Sequence, residues 1–472
     1  MGFISGIFSY ILAFFLAIIP ATTYTEGVIG QPHSFLPHQL GNQNDRAISK
    51  LIYRGLFKYD IYGVLVPDLA DTWAVSEDGI VYTVKLKPNQ HWSNGRKITS
   101  DDLLYTAYKN PDLIGVGTDR VDELTVRYIL PNKYSPFLSL LTLGVMPMDA
   151  EKASPLHPVS SGDFTVGRVE KNGAVIRQVI LVGKNKNFDI KKLSFRYYSN
   201  EDELESAARL GEIDGFVAEQ AHEIRNFEDR KFPVQGIYYS LFFNLRNKKY
   251  QDVALRQKLE MVLPVEKIIV EKGIMAQGPI SRSLFTDAGI EFNKYNKDYK
   301  EDLKGLELTI TIPDTKEHEE FVQEIKRFWE DKLNVKVNIK TVSPEKMLSQ
   351  VIEPRDFEIL FYGQEVSRDP DRYVNWHSAQ SNIPGFNLSG FDQIRSDRAL
   401  EEGRSEIDSE KRVLHYNEFQ KVVVRDVPAI FLYHPYVHYY VSKYISGVGG
   451  KYTFTYSDRF LDFFNWRRVR TN

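Results

Sequence analysis

The sequence predicts a multidomain α/β protein whose soluble body follows an apolar N-terminal segment. Length is the first observation: 472 residues, at roughly 100–200 per domain, suggest two to four domains. The second is the stretch 303–362, where apolar periods of 2 and 3.6 alternate as β-α-β-α-β, the pattern of a mixed or parallel sheet covered by helices. The third is composition: 42% hydrophobic residues support a sizeable core and argue against disorder.

The elements follow in chain order. "FISGIFSYILAFFLAIIP" (Phe3–Pro20) is almost wholly apolar and uncharged. It falls between the roughly 7–15 residues of a signal core and the ~20 of a spanning helix. Residues 1–23 are therefore expected to be a signal peptide or a membrane anchor. No Lys or Arg precedes Arg46, so the distribution of basic residues leaves orientation open. From Tyr24 to about Leu40 the chain reads as strand and loop, with turn residues Gly30, Pro32 and Pro37. "AISKLIYRGLFKYD" (47–60) reads as helix. "EDGIVYTVKLK" alternates like one arm of a hairpin, with a polar turn at Glu77–Gly79. "HWSNGRKI" carries an Asn-Gly turn. In "TSDDLLYTAYK", Thr99 is placed to cap a helix, and Asp101 and Asp102 suit the positive end of its dipole. Residues 145–240 look α+β; 240–273 read as strand, then helices. Within 303–362, "EHEEFVQEIKRFWEDKL" puts Phe321, Val322, Ile325, Phe328, Trp329 and Leu333 on one face of a helix. Two further helices are expected across 394–426.

Chemistry is constrained mainly by what is missing. The chain has no cysteine, which excludes disulfides, thiolate metal sites, Cys nucleophiles and a thiol lipid anchor. A net charge of −3 argues against a nucleic-acid partner. No GxSxG, GxxxxGK[ST], HExxH or strand-following GxGxxG occurs. "DPDRYVNWHSAQ" (369–380) gathers Asp369, Asp371, Arg372, Trp376 and His377. Pro370 between the acids favours a turn whose carboxylates bond the backbone over a catalytic dyad. His434 and His438 are i, i+4, but lie in a β-like stretch with Pro435, where side chains would be about 13 Å apart. No metal, no cofactor and no enzymatic activity is expected.

Five segments, in order, then carry a resemblance. "LVPDLADTWAVSEDGIVYTVKLKPNQHWSNGRKITSDDLLYT" (65–106), "LGEIDGF" (210–216), "LFFNLRNKKYQDVALRQKLEMVLPVEKII", "RDPDRYVNWHSAQ" with "FNLSGF", and "KRVLHYNEFQKVVVRDVPAIFLYHPYVHYYVSKYISG" together resemble the family 5 extracellular solute-binding proteins. These are the oligopeptide- and dipeptide-binding subunits of ABC importers.

The resemblance implies a two-lobed periplasmic-binding-protein-like α/β fold, type II-like, closing on ligand about a hinge near Phe242–Asn244 and Tyr439–Lys443. Lobe I would comprise 24–240 plus 441–472, with an extra subdomain at 46–144; lobe II would comprise 241–440. It implies a monomer of the cell envelope that binds a peptide or other small solute and partners a membrane permease. Other solutes, such as sugars or metal complexes, and a receptor or adhesion role stay open as alternatives. Ligand contacts are expected from the backbone of Val28, Gly30 and Gln31 and of Tyr362, Gln364 and Glu365, with Trp376, His377 and Asn387 nearby. Peptide-binding members place an Asp three residues before DPD. Val366 stands there in this chain, and Glu365 is the nearest carboxylate.

Overall fold

The computed structural model describes residues 22–218, 223–281, 290–292, 294–449 and 453–469. The expected signal or anchor at 1–23 lies outside the described residues except for Thr22 and Thr23. Among the described residues, no helix is long and apolar enough to cross a membrane. The chain divides into two compact units. The first runs up to Asn132, through Phe137–Phe232, and on from Val437; the second is Pro233–Tyr436 together with Lys133–Pro136.

The sheet of the first unit is centred on Thr23–Ile29. This strand runs parallel to Lys192–Tyr198 on one side and to Gly215–Ala218 on the other, and the sheet continues antiparallel through Val175–Gly183 to Phe164–Asn172. The centre is fixed by a buried charge. Glu26 receives Arg459 Nε at 3.0 Å on one oxygen, and the hydroxyls of Tyr24 and Tyr439 at 3.0 and 2.9 Å on the other. An isolated carboxylate here would be very costly; the guanidinium and two phenols supply the partners it needs.

A separate antiparallel sheet in the same unit has the order Ala70–Val75, Val81–Leu86, Thr125–Ile129, Gly117–Arg120. Its helix is Ser100–Lys109, capped by Thr99 in a capping box with Asp102. Asp102 does more than answer the helix dipole. It also accepts from Trp92 Nε1 at 3.1 Å, Arg96 Nη2 at 2.6 Å and Met148 N at 2.9 Å, so one buried carboxylate ties the Asn-Gly turn to the helix start.

The helix expected over 47–60 is shorter. It spans Gln43–Ile52, and Phe57–Tyr59 is a strand paired with Leu65–Pro67. Asn42 caps it by accepting from Asn44 N and Asp45 N.

The second unit holds the strands Lys336–Val342, Glu307–Pro313, Ile359–Glu365 and Ile237–Phe243 and the first part of Ala429–Ser442, in that spatial order. The first three are parallel, joined by helical crossovers as the alternation in 303–362 requires. Helix Lys316–Leu333 buries Phe321, Val322, Ile325, Trp329 and Leu333, and Phe328 is partly buried against the same core. Helices Ile394–Ser405 and Ser409–Asp426 fulfil the expectation for 394–426.

The chain passes between units at 232/233 and 436/437, where the sequence reading puts the crossings at 240/241 and 440/441. The first shift has a clear cause. Ile237–Phe243 pairs along its whole length with Ile359–Glu365, so the strand belongs to the second unit from its start.

Candidate functional site

Two strand ends carry the expected contact segments, one in each unit. In the first unit, Thr23–Ile29 stays in register with Lys192–Tyr198 through Ile29, but with Gly215–Ala218 only at Glu26 and Gly27. Past Gly27 the pairing on that side stops, although the neighbouring strand itself runs on to Ala218. Val28 turns its side chain into the core, so what it can offer is main chain. Gly30 is exposed with φ +96° and donates its N–H to Tyr198 O at 2.9 Å. The Gln31 amide bonds both ways to the backbone of Ile176, donating to its O at 3.1 Å and accepting from its N at 2.8 Å. That side chain locks the strand end to the next hairpin.

In the second unit, Ile359–Glu365 pairs with Ile237–Phe243 throughout, but with Glu307–Pro313 only at Ile359 and Leu360. From Phe361 the pairing with that neighbour stops, although Glu307–Pro313 runs two residues further. Tyr362 is partly exposed and Glu365 exposed. Burial pushes the Tyr362 phenol above its ordinary range. Gln364 is buried; it accepts from the Tyr238 hydroxyl and donates to Phe386 O at 2.9 Å. Val366 is buried, and its N–H bonds Gly236 O at 2.8 Å.

The DPD turn lies just beyond. Asp369 Oδ1 accepts from Asp371 N at 2.8 Å, and Asp371 Oδ1 from Tyr373 N at 3.0 Å, which are the backbone-bonded turns expected beside Pro370. Each acid also holds an arginine. Asp369 takes Arg412 bidentately at 2.9 and 2.6 Å, and Asp371 meets Arg404 at 3.3 Å. Arg404 in turn lies 4.2 Å from the centre of the Tyr373 ring. Burial raises the Asp371 carboxyl, opposed by Arg404. Arg372 is fully buried and donates to the carbonyls of Pro279, Ser367, Asp369 and Asp371. These acids are clamps for a loop, each bonded both to local backbone and to an arginine.

The three remaining expected residues are committed to protein partners. Trp376 is buried among Phe242, Phe391, Phe419 and Phe431, with Nε1 donating to Tyr238 Oη at 3.1 Å. Of the two roles open to this indole, stacking on a ligand or walling the lobe, its burial favours the wall. His377 stacks on Tyr373 at 4.1 Å, accepts from Ala379 N, and meets Glu401 at 3.1 Å. Asn387 is buried; it donates to the carbonyls of Trp376, His377 and Phe391 and accepts from Phe391 N. Such side chains position the loop. The sequence reading missed Arg404 and Arg412, which lie 33 and 43 positions from their acids. Their signal is only their helical setting, on facing helices after the DPD turn.

Among the described residues no group of three or more His, Asp or Glu is arranged to hold a metal. His434 bonds Ile237 O at 2.8 Å and His438 bonds Asp229 at 2.7 Å; each ring has its own partner.

The sequence model of the bacterial extracellular solute-binding proteins, family 5 Middle, matches residues 64–385. The chain belongs to this family. It is 21% identical to the oligopeptide-binding protein AppA of Bacillus subtilis, over 89% of this chain and 88% of that protein. The crystal structure of that AppA with a nonapeptide matches with a TM-score of 0.70 and 19% identity, covering 95% of this chain and 99% of that one. The structure of NikZ from Campylobacter jejuni with Ni(L-His) matches with a TM-score of 0.73 and 20% identity, over 95% and 100%. This family 5 protein thus has the mixed α/β fold of known periplasmic binding proteins. That fold alone does not choose between a peptide and a metal complex.

Proposed function

We propose that this family 5 protein captures peptides outside the cytoplasm and delivers them to the permease of an ABC importer. One observation carries the reading. Full-length sequence similarity, near nine-tenths of both chains, is to oligopeptide- and dipeptide-binding proteins. The two strand segments that are paired on only one side support it. A bound peptide takes main-chain hydrogen bonds from strand edges, which read any sequence, while hydrated pockets tolerate its side chains. Val28–Gln31 and Tyr362–Glu365 are the proposed edges. Glu365 is the proposed acid for a peptide amine, since Val366 can offer none. The apolar segment Phe3–Pro20 is the proposed export signal or anchor. No step in this activity breaks a bond in the solute, and the relatives are binding proteins.

The test is a titration of the protein with pooled short peptides and with their N-acetylated copies, following thermal unfolding. Ligand at 100 times its dissociation constant adds about 2.7 kcal/mol. Free peptides are expected to stabilise more than acetylated ones. Equal stabilisation discards the Glu365 amine contact and keeps the peptide assignment. No response to either discards peptides.

A further inference from the structure

The hairpin formed by Phe57–Tyr59 and Leu65–Pro67 has an unusual tip. Hairpin turns normally carry Gly, Asn, Asp and Ser, which suit both the backbone and water. Here the tip reads Asp60-Ile61-Tyr62-Gly63-Val64. Its backbone is built firmly. Asp60 N–H donates to Val64 O at 2.9 Å, Gly63 N–H to Asp60 O at 3.0 Å, and Asp60 Oδ1 accepts from both Tyr62 N and Val64 N at 2.9 Å. Gly63 has φ +80°, a conformation glycine reaches without strain. This rigid frame turns apolar side chains outward: Ile61 is 37% exposed, Tyr62 64% and Val64 56%. At the hairpin's base, Trp73 packs edge-on against Phe57 at 5.1 Å and is itself 42% exposed. From Ile61 to Pro67 no residue is charged.

Contiguous exposed apolar groups on a firm scaffold mark an interaction site. The chemistry favours a lipid interface over a protein socket. Tyr and Trp rings beside aliphatic side chains are the composition of membrane–water boundaries. The seven-residue uncharged run lacks the ionic handles that fix register against a particular protein partner. The apolar run Phe3–Pro20, read as an export segment or anchor, would bring the chain to a bilayer. We infer that the Ile61–Val64 tip is a membrane-interface contact, seating its aliphatic side chains and the Tyr62 ring at the headgroup boundary. This rests on the proposal that the protein is exported and works at the membrane.

The absence of cysteine makes the test direct. In the full chain, Ile61→Cys would carry a polarity-sensitive fluorophore, with Lys171→Cys on another exposed hairpin as control. Each protein is added to phosphatidylcholine vesicles containing nitroxide-labelled lipid. The expected result is a blue shift and loss of emission at position 61 alone, abolished when Tyr62→Ser and Val64→Ser are added. Unchanged emission at 61 overturns the inference, as does equal quenching at both positions. Shielding that appears only in native, protein-containing membranes also overturns it, and assigns the tip to a protein socket. Peptide titration of the same labelled protein separates the two proposals: peptide stabilisation without quenching removes only this one.

Discussion

Along the strand Ala429–Ser442, two histidines four positions apart meet different surroundings. His438 pairs with Asp229. His434 is buried, its Nδ1 bonded to the Ile237 carbonyl, and burial lowers its pKa to about 4, helped by the positive charge of Arg372. The sign of the pH effect follows. The unfolded chain takes up a proton near pH 6.5 while the folded chain resists it, so stability is full above 6.5 and is lost progressively as pH falls towards 4. That single group should cost about 3 kcal/mol across the window. Urea unfolding at pH 7 and pH 4.5 should show the loss, and it should shrink in His434→Gln. Asp369 makes a second case. Removing it as Asp369→Ala leaves the Arg412 guanidinium buried without its carboxylate, an outcome worth about 3–5 kcal/mol of destabilisation by chemical denaturation. How far such roles were legible differs by residue. Pro370 and the flanking acids announced a turn, because the bonds that make it are local. Asn387 and Trp376 could be singled out but not assigned, because what surrounds them comes from helices and strands far along the chain.

Elements were most legible where period and length agreed. Helix Lys316–Leu333 repeats its apolar positions from Phe321 to Leu333, and the structure buries that face. Trp329 is its anchor, fully buried with Nε1 donating to Leu259 O at 2.9 Å. Trp329→Ala should lower stability by about 3–5 kcal/mol, measured by thermal unfolding with the secondary structure followed by circular dichroism. The opposite case is the helix expected to run on from 47 to 60. Its apolar spacing continues past Ile52, yet Tyr53 already has extended backbone, with φ −120° and ψ 147°. The residues beyond are claimed by pairing with Leu65–Pro67, a partner no helical window includes. Gly215 shows a different constraint on an element. A Cβ there would stand 1.9 Å from Tyr24 Oη, inside the group that neutralises Glu26. Gly215→Ala should therefore cost about 1–3 kcal/mol through overpacking, read as a fall in unfolding midpoint; an unchanged midpoint would mean the phenol moves aside freely.

For the whole molecule, the family was readable because its motifs are short, ordered and spread across the chain, so their sequence order substitutes for spatial information. The structure divides at 232/233 and 436/437 where the sequence reading expected 240/241 and 440/441, because the first crossing depends on which strand Ile237–Phe243 pairs with. The solute was not readable from the fold, because the same architecture accompanies a nonapeptide in one protein and a nickel complex in another.

The long strand Ala429–Ser442 runs out of the second unit and into the first. It pairs with Ile237–Phe243 in the one and with Gly215–Ala218 in the other. Its position has a consequence for timing. A ribosome must reach residue 429 of 472 before either sheet receives this flank, although domains ordinarily complete themselves in order during synthesis. Until then two strand edges stay open, a hazard for aggregation. A fragment ending at Val427 should accordingly be cut by protease throughout both units, whereas one ending at Lys443 should already resist in the second.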